Sequence, residues 1–262
     1  MGQNALSAAL KRPSELTDAE RGAWTDMLEA TPALASPYFR PEFAECCEEA
    51  RADTRVLVAR KGLEIQGFLP MQTGKVGYSR PLAGPLGDVH GVICADPSSV
   101  DVAAWLNAAQ VPLFEFHSAL ALQGCWHASE TWRDGSWIID ITDGYSEFED
   151  ARSQAEPKAF RNVRARRRKL DEEAGGFEFR MADHRPEAVA TMLDWKSAQY
   201  RRTNVFDVFS VAWTRRLIEA LVKRQSDEFR GVVSSLTIDG RIAAVHVGMA
   251  SAVRTHYWFP AY

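Results

Sequence analysis

The stretch FRGVVSSLTIDGRIAAVHVGMAS (residues 229–251) decides the fold, because it reads as two long β-strands joined at Asp239-Gly240. Asp-Gly between two apolar runs is a strong signal for a tight β-hairpin. The upstream stretches PEAVATMLDWKSAQYRRT and VAWTRRLIEALVKRQ have the apolar spacing of amphipathic helices, and FEFRMAD before them reads as a strand. The downstream stretch VRTHYWFPAY reads as one more strand. We therefore predict a strand, two helices and then an antiparallel sheet.

The first half of the chain follows a similar plan. Thr17 and Glu20 form the pattern of a capping box, and Pro41 suits the first turn of a second helix. RVLVAR and IQGFLPMQ then read as a hairpin, and VPLFEFH and SWIIDIT as further strands. We predict an α/β (α+β) fold of two domains, residues 1–145 and 146–262. Each has a mixed, mostly antiparallel sheet flanked by helices.

Composition limits the possible functions. The chain has 262 residues, 46% hydrophobic and 25% charged, and a net charge of -4, which is typical of a globular protein and not of a general polyanion binder. No apolar run approaches the ~20 residues that span a bilayer, and the first residues do not have the pattern of a secretory leader. The four cysteines lack the spacing of a zinc site. We expect reduced thiols, no metal, and a cytoplasmic protein.

The stretch FRNVRARRRKL (160–170) is strongly basic, and Gly175 and Gly176 are expected to end its helix. Helical spacing places Arg167 within an apolar stripe. A guanidinium on the packing side needs a partner, so we expect Arg167 either to pair with a carboxylate or to line a cleft that receives an anion. A solvated helix face and a contact with nucleic acid are the alternatives.

Several segments resemble a known family. WKSAQYRRTNVFDVFS, FRGVVSSLTIDGRIAAVHVGM and HYWFPAY, together with SPYFRPEFAECCEEA, RVLVARKGLEIQGFLPMQ and RPLAGPLGDVHGVI, are similar to the CelD/BcsL-type acetyltransferases. These belong to the wider FemAB-like and GNAT group, and the resemblance runs from about Ser36 onward. It implies two tandem GNAT-like folds in a bacterial protein. It also implies acetyl-CoA or another acyl-CoA as donor, an amine or hydroxyl acceptor, and a role in polysaccharide or cell-envelope biosynthesis.

The resemblance also implies where the donor binds. In this family the acyl-pantetheine lies between two splayed strands, and its diphosphate lies on a glycine-rich turn that opens a helix after a strand like HYWFPAY. AGPLGD and EAGG are not followed by a helix and so do not replace that turn. We expect the second domain to be incomplete, the phosphate-binding loop to lie beyond Tyr262, and Trp258 and Phe259 to be exposed.

Two groups of candidate site residues lie in the second half. His246 shares a strand face with Ile242 and Ala244 and is interpreted either as a core histidine or as the base that takes the acceptor's proton. Lys196 and Tyr200 are four residues apart on one helix face. They are interpreted as the polar side of an ordinary helix or as groups that recognise an anionic or sugar-bearing acceptor.

Two further pairs complete the candidates. Asp88 and His90 lie in a loop bounded by glycines, where they can form a base and its orienting partner or stabilise the turn. His256 and Trp258 share a face of the last strand. They are interpreted as contacts to donor or acceptor, or as core residues.

These observations favour an N- or O-acyltransferase that uses direct attack of a small-molecule or saccharide acceptor, with no covalent enzyme intermediate. Two alternatives stay open. The chain could be an inactive fragment or a module that only binds the acceptor. It could also transfer an aminoacyl group from tRNA, in which case the basic helix would contact the RNA.

Overall fold

The computed structural model describes residues 5–174 and 176–262. Residues 1–4, which begin the segment examined for a leader, and Gly175, one of the two helix-ending glycines, lie outside the described residues. The strands are β1 (Leu6–Lys11), β2 (Thr54–Lys61), β3 (Glu64–Thr73), β4 (Tyr78–Pro81), β5 (Leu113–Phe114), β6 (Glu178–Arg180), β7 (Phe229–Ile238), β8 (Arg241–Ser251) and β9 (Thr255–Ala261). The helices are α1 (Asp18–Ala30), α2 (Pro41–Ala50), α3 (Val102–Ala108), α4 (Tyr145–Ala155), α5 (Pro157–Glu173), α6 (Pro186–Arg202) and α7 (Ala212–Lys223).

The two halves repeat one topology. A strand, two helices and three antiparallel strands follow each other as β1-α1-α2-β2-β3-β4 and again as β6-α6-α7-β7-β8-β9. The sheets have the matching orders β1-β2-β3-β4-β5 and β6-β7-β8-β9. All strand pairs are antiparallel except β4 with β5, which are parallel. The predicted α/β class, with mostly antiparallel sheets flanked by helices, is confirmed.

Local sequence signals act as expected. At the start of α1, Thr17 Oγ1 accepts from the Glu20 amide, and the Glu20 carboxylate accepts from the Thr17 amide. Pro41 occupies the first turn of α2. Asp239 and Gly240 both have positive φ, 49° and 73°, as the tight turn between β7 and β8 requires.

The halves share one hydrophobic core, in which α2 packs against α7. Arg216 on α7 donates to the Ala50 carbonyl at the end of α2, at 3.0 Å. The Ser251 hydroxyl at the end of β8 donates to the Ala35 carbonyl at 2.7 Å. The segment around residue 36 of the first half is thereby held against β8 and β9.

Some expectations are wrong. SWIIDIT forms no strand, and every residue from 131 to 147 is exposed. VPLFEFH contributes only Leu113–Phe114 to a strand, because only these residues find a partner, in β4. Phe259 is 5% exposed and packs on Phe209 in the core, so it is not the uncovered side chain that we expected. Trp258 is half-buried.

The placement of Arg167 on a packing face is also wrong. Helix α5 has no buried residue and contacts mainly α4. Arg167 is exposed, with its guanidinium 5.9 Å from the centre of the Phe177 ring. It therefore avoids the burial cost that made an internal partner necessary.

Candidate active site

An irregularity in the β8–β9 pair organises the candidate site. Val247 pairs with Phe259 and Met249 pairs with His256, so two residues of β9, Tyr257 and Trp258, lie opposite the single Gly248 of β8. This is a β-bulge, which re-aims side chains and locally opens the ladder.

Gly248 is required for this close approach. A Cβ at this position would overlap the carbonyl oxygen of His256 and lie 2.9 Å from Cε1 of His246. No side chain larger than hydrogen fits without moving the bulge.

The side chain of His246 contacts both residues of the bulge in β9. Its Nε2 accepts the Trp258 backbone N–H at 3.1 Å, and its ring stacks on Tyr257 with centroids 4.2 Å apart. Nδ1 lies 3.5 Å from the Ser234 hydroxyl. Burial lowers the pKa of His246 to about 4. The ring is therefore neutral at pH 7, with the lone pair of Nε2 already engaged.

His256 lies where the two halves meet. Its Nε2 is 3.0 Å from the hydroxyl of Ser36, which is 3% exposed, and the edge of its ring meets Tyr38 with centroids 5.0 Å apart. Burial, with a smaller effect of Arg254, lowers the pKa of His256 to about 4. The first half thus supplies two polar side chains to a residue of β9.

Tyr38 joins the candidates of the two halves. Its hydroxyl donates to the Leu86 carbonyl at 2.9 Å, and its ring lies 6.0 Å from Trp258. Burial, together with the nearby Asp88 carboxylate, raises the pKa of Tyr38 well above its usual value. Asp88 is exposed, and partial loss of solvation raises its pKa against the opposing effects of Tyr38 and His117. The structure therefore brings His256 and Trp258 together at the ring of Tyr38.

Ser36 and Tyr38 are absent from the residues singled out in the sequence. The only signal for them was the stretch SPYF, which belongs to one of the segments with family resemblance. Neither periodicity nor charge distinguishes these residues, since their role depends on a contact with the far end of the chain.

His90 is not part of this group. Its ring packs between Phe114 and Trp126, at 5.6 and 5.5 Å, and is 6% exposed. Its Nε2 has no hydrogen-bond partner within the described residues, and burial lowers its pKa to about 3. No hydrogen bond joins it to Asp88 in the described part of the chain, so the two do not form the expected pair.

Lys196 and Tyr200 lie at the other end of β9. The Lys196 ammonium donates to the Pro260 carbonyl at 3.2 Å and lies 5.4 Å from the centre of the Tyr200 ring. The predicted shared helix face is confirmed. Burial lowers the pKa of Lys196 and raises that of Tyr200. The Pro260 carbonyl lies two residues along β9 from Trp258, the second residue of the bulge.

A separate cavity of about 470 Å³ lies between α6 and α7. Its lining includes the apolar Val189 and Leu193 and the charged Asp194, Arg215 and Glu219. It borders the first half of α6, whereas Lys196 and Tyr200 are on the second half. The cavity is therefore distinct from the residues around β9.

The described residues do not present a place fitted to a CoA diphosphate. Such a group binds where a glycine-rich turn opens a helix. The residues that precede the described helices are Thr17, Arg40, Asp101, Gly144, Glu156, Arg185 and Val211, with no glycine-rich turn among them. Within the same residues, no group of three or more His, Cys, Asp or Glu side chains could hold a metal ion. No helix of residues 5–174 and 176–262 is long and apolar enough to cross a membrane.

Comparison with known proteins places β8, β9 and their bulge within a region that matches a known family. Residues 157–262 match the family of acetyltransferase (GNAT) domains. A solved structure described as a tandem GNAT protein from the clavulanic acid biosynthesis pathway, without AcCoA, is 13% identical, with 95% of this chain and 76% of that chain covered and a TM-score of 0.40. No curated protein matches the chain.

Proposed function

We propose that the chain is an acyltransferase, which moves an acyl group from a thioester donor to an amine or hydroxyl acceptor. The observation that carries the proposal is the match of residues 157–262 to the acetyltransferase (GNAT) domain family. That part of the chain contains β8, β9 and their bulge. The comparison with the solved structure adds no weight, since its overall likeness is low.

The proposed donor is acetyl-CoA or another acyl-CoA. When bound, it would supply the activated acyl group. The described residues include no glycine-rich turn that opens a helix, where its diphosphate would bind. The residues around the bulge of β9 support this proposal, because they lie in the region that matches the acetyltransferase (GNAT) domain family.

The proposed acceptor site is the group formed by Tyr38, Asp88, His256 and Trp258. Carboxylate, imidazole and hydroxyl groups can orient a polar acceptor, and a half-buried indole offers an apolar face for a saccharide ring. Tyr38 contacts His256 and Trp258 from the first half. A site of this kind would use both halves of the chain.

Different roles are proposed for the two histidines. His256 is proposed to take the acceptor's proton, because its Nδ1 has no partner within the described residues. His246, which the sequence offered as this base or as a core histidine, is the second choice, since its Nε2 already accepts the Trp258 N–H. His246 is then proposed to position the bulge. A neutral imidazole at pH 7 suits either as a base.

Lys196 and Tyr200 are proposed to recognise an anionic or sugar-bearing part of the acceptor. The Lys196 ammonium lies at β9 beside the Pro260 carbonyl, so an anion could replace that contact. Arg167, the remaining candidate, lies on an exposed helix and is proposed to attract anions at long range.

The domain organisation and the class of acceptor are also proposed. We propose two domains of one type, residues 1–145 and 146–262, supported by the repeated order of strands and helices. We also propose a CelD/BcsL-like or FemAB-like specificity with a polysaccharide or envelope acceptor. Its support is the sequence resemblance described above.

Calorimetric titration with acetyl-CoA, followed by a thiol-release assay with panels of amines and sugars, tests the proposal. We expect saturable binding and acceptor-dependent thiol release. Trp258→Ala should lower kcat/KM at least about tenfold, since one well-packed aromatic contact is worth more than ~1.4 kcal/mol. Trp132→Ala, at an exposed position outside the site, is the matched control. The absence of both acetyl-CoA binding and thiol release in the wild type would refute the proposal. Acceptor binding without thiol release would indicate a binding module.

A pair of variants separates the two histidines. His246→Gln keeps an oxygen that can accept the Trp258 N–H but removes the base. If His246 only positions the bulge, this variant retains most activity, whereas His256→Gln loses it and the acidic limb of the pH–rate profile disappears. The reverse result would assign the base to His246.

One observation favours aminoacyl transfer from tRNA as a second candidate. Helix α5 is exposed along its length, and its Arg161, Arg166 and Arg167 make no ion pair within the described residues. Binding of tRNA with a steep dependence on salt would support this candidate. Failure to bind at low salt would remove it.

A further inference from the structure

The segment from Trp132 to Tyr145 is an uncovered apolar surface. Every residue from 131 to 147 is exposed. Trp137 is 102% exposed, and the other large apolar side chains are also open to solvent. They are Trp132, Ile138, Ile139, Ile141 and Tyr145.

This segment has the pattern of a strand without a partner. Trp137, Ile139 and Ile141 lie at every second position and are separated by Ile138 and Asp140, so one face of an extended strand would be wholly apolar over these residues. Isoleucine and tryptophan are strand-favouring residues. No residue of the described chain pairs with this stretch in a sheet, so its peptide groups are available for pairing.

We propose that residues 136–142 form an interface with the same segment of a second copy of this chain. In an antiparallel pair centred on Ile139, Trp137 lies opposite Ile141 of the second copy, and Ser136 lies opposite Thr142. Asp140 lies opposite Ile138, so the two carboxylates do not face each other. A parallel, in-register pair would set Asp140 against its equivalent, which like-charge repulsion disfavours. The antiparallel pair has two-fold symmetry, as most dimers do.

The area available matches what a dimer needs. The four large apolar side chains within residues 136–142 expose on the order of 600 Å² in each copy, of which a large aromatic residue contributes 150–250 Å². Two copies therefore offer about 1,200 Å² in total, which is the lower end of the range for a specific interface. A single chain rarely leaves a patch larger than several hundred Å² open to water.

Charge distinguishes a second copy from a lipid surface. Between Glu130 and Tyr145 the sequence carries four carboxylates against a single arginine, Arg133. Anionic lipid headgroups attract basic segments and repel acidic ones. The apolar side chains are therefore better suited to a protein partner than to a membrane surface.

Sedimentation velocity across a range of concentrations tests the dimer. We expect the full chain to be dimeric at micromolar concentration. Ile139→Lys places two ammonium groups face to face at the centre and should weaken dimerisation at least about tenfold. Leu63→Lys alters an exposed leucine in the turn between β2 and β3, outside the interface, and should leave the dimer intact. A wild type that stays monomeric, or a dimer that tolerates Ile139→Lys, would overturn the proposal.

Cross-linking tests the register. Paired residues at the two-fold axis have Cα atoms about 5 Å apart, within reach of a disulfide. In a Cys125→Ser background, which removes the one partly exposed cysteine, Ile139→Cys should form a covalent dimer on oxidation. Thr142→Cys should not, because six residues of strand separate the two thiols by about 20 Å. Cross-linking at 142 in place of 139, or binding of a monomer to phosphatidylcholine vesicles, would contradict it.

Discussion

The two sheets share a topology but differ in how they are covered. In β3 most residues are buried on both faces, whereas in β7 buried and half-buried residues alternate along the strand. Helices α1 and α2 cover one face of the first sheet, and α3 with residues 111–126 covers the other. In the described part of the chain, the second sheet is covered by α6 and α7, on one face. A doubly covered sheet serves as a scaffold, whereas the open face beside His246 and Tyr257 leaves room for a ligand.

The largest loss of stability should come from a side chain that is buried between the first sheet and the elements that cover it. Leu57→Ala, at a fully buried position of β2, should lower the free energy of unfolding by about 2–5 kcal/mol, because it leaves a cavity. Leu236→Ala, on the open face of β7, should cost less than about 1.5 kcal/mol, since the site is already partly hydrated. Urea unfolding measures both values. Equal losses would mean that the open face is covered in solution.

Gly248→Ala is expected to have the next largest effect. The new Cβ would meet the His256 carbonyl and the His246 ring, so the bulge must shift, at a cost of about 1–3 kcal/mol. Gly22→Ala in α1 is the control, because nothing lies within 4 Å of its Cβ and alanine favours a helix. We expect unfolding of Gly248→Ala at lower urea, and of Gly22→Ala at the same or higher urea. If Gly248→Ala unfolds at the same urea concentration as the wild type, the close approach of β8 and β9 is not rigid.

How much of this the sequence could predict depends on the range of each contact. The cap at Thr17 and the turn at Asp239-Gly240 were predicted because each is made by neighbouring residues. The contact of Ser36 with His256 spans 220 positions, and nothing local indicates it. The bulge depends on the register of β9 against Gly248, which the alternation of residues alone does not specify.

Residues 136–142 show that a local pattern alone does not form a strand. Their alternation predicts a strand, yet the structure has none there, because a strand needs hydrogen-bonding partners as well as a pattern. Arg167 was placed on a packing face by its helical phase, but α5 packs too little to bury that face. Periodicity therefore indicates which face is apolar and leaves undetermined what covers it.

Two histidines give a smaller, pH-dependent test. The pKa is lowered by burial to about 3 for His90 and about 4 for His246. The unfolded chain binds protons near the usual value of about 6.5, so below about pH 6.5 it holds more protons than the folded chain, down to about pH 3 for His90 and about pH 4 for His246. Stability is then fully present above this window and falls as pH decreases through it.

The substitutions His90→Leu and His246→Leu should separate these contributions. His90→Leu removes an unpartnered polar atom from an apolar cluster. It should change stability at pH 7 by less than about 1 kcal/mol and flatten its decrease towards pH 4.5. His246→Leu also flattens the decrease but costs about 1 kcal/mol at pH 7, since the Trp258 N–H loses its acceptor. Thermal unfolding at several pH values measures both, with exposed His184→Leu as control. An unchanged pH dependence in His90→Leu would mean that this ring is charged or hydrated in the folded protein.

The smallest effect on stability is expected at Arg167, because it lies on the exposed helix α5 and not in the core. The side chain is exposed and lies over the Phe177 ring without a carboxylate partner in the described residues. An exposed contact of a cation with an aromatic ring contributes about 0.5–1 kcal/mol at most. Arg167→Ala should therefore change the free energy of unfolding by no more than this, and Arg166→Ala, one position away, by still less. A loss above about 2 kcal/mol for Arg167→Ala would show that α5 packs against the rest of the chain in solution, and would restore the internal partner that its helical phase predicts.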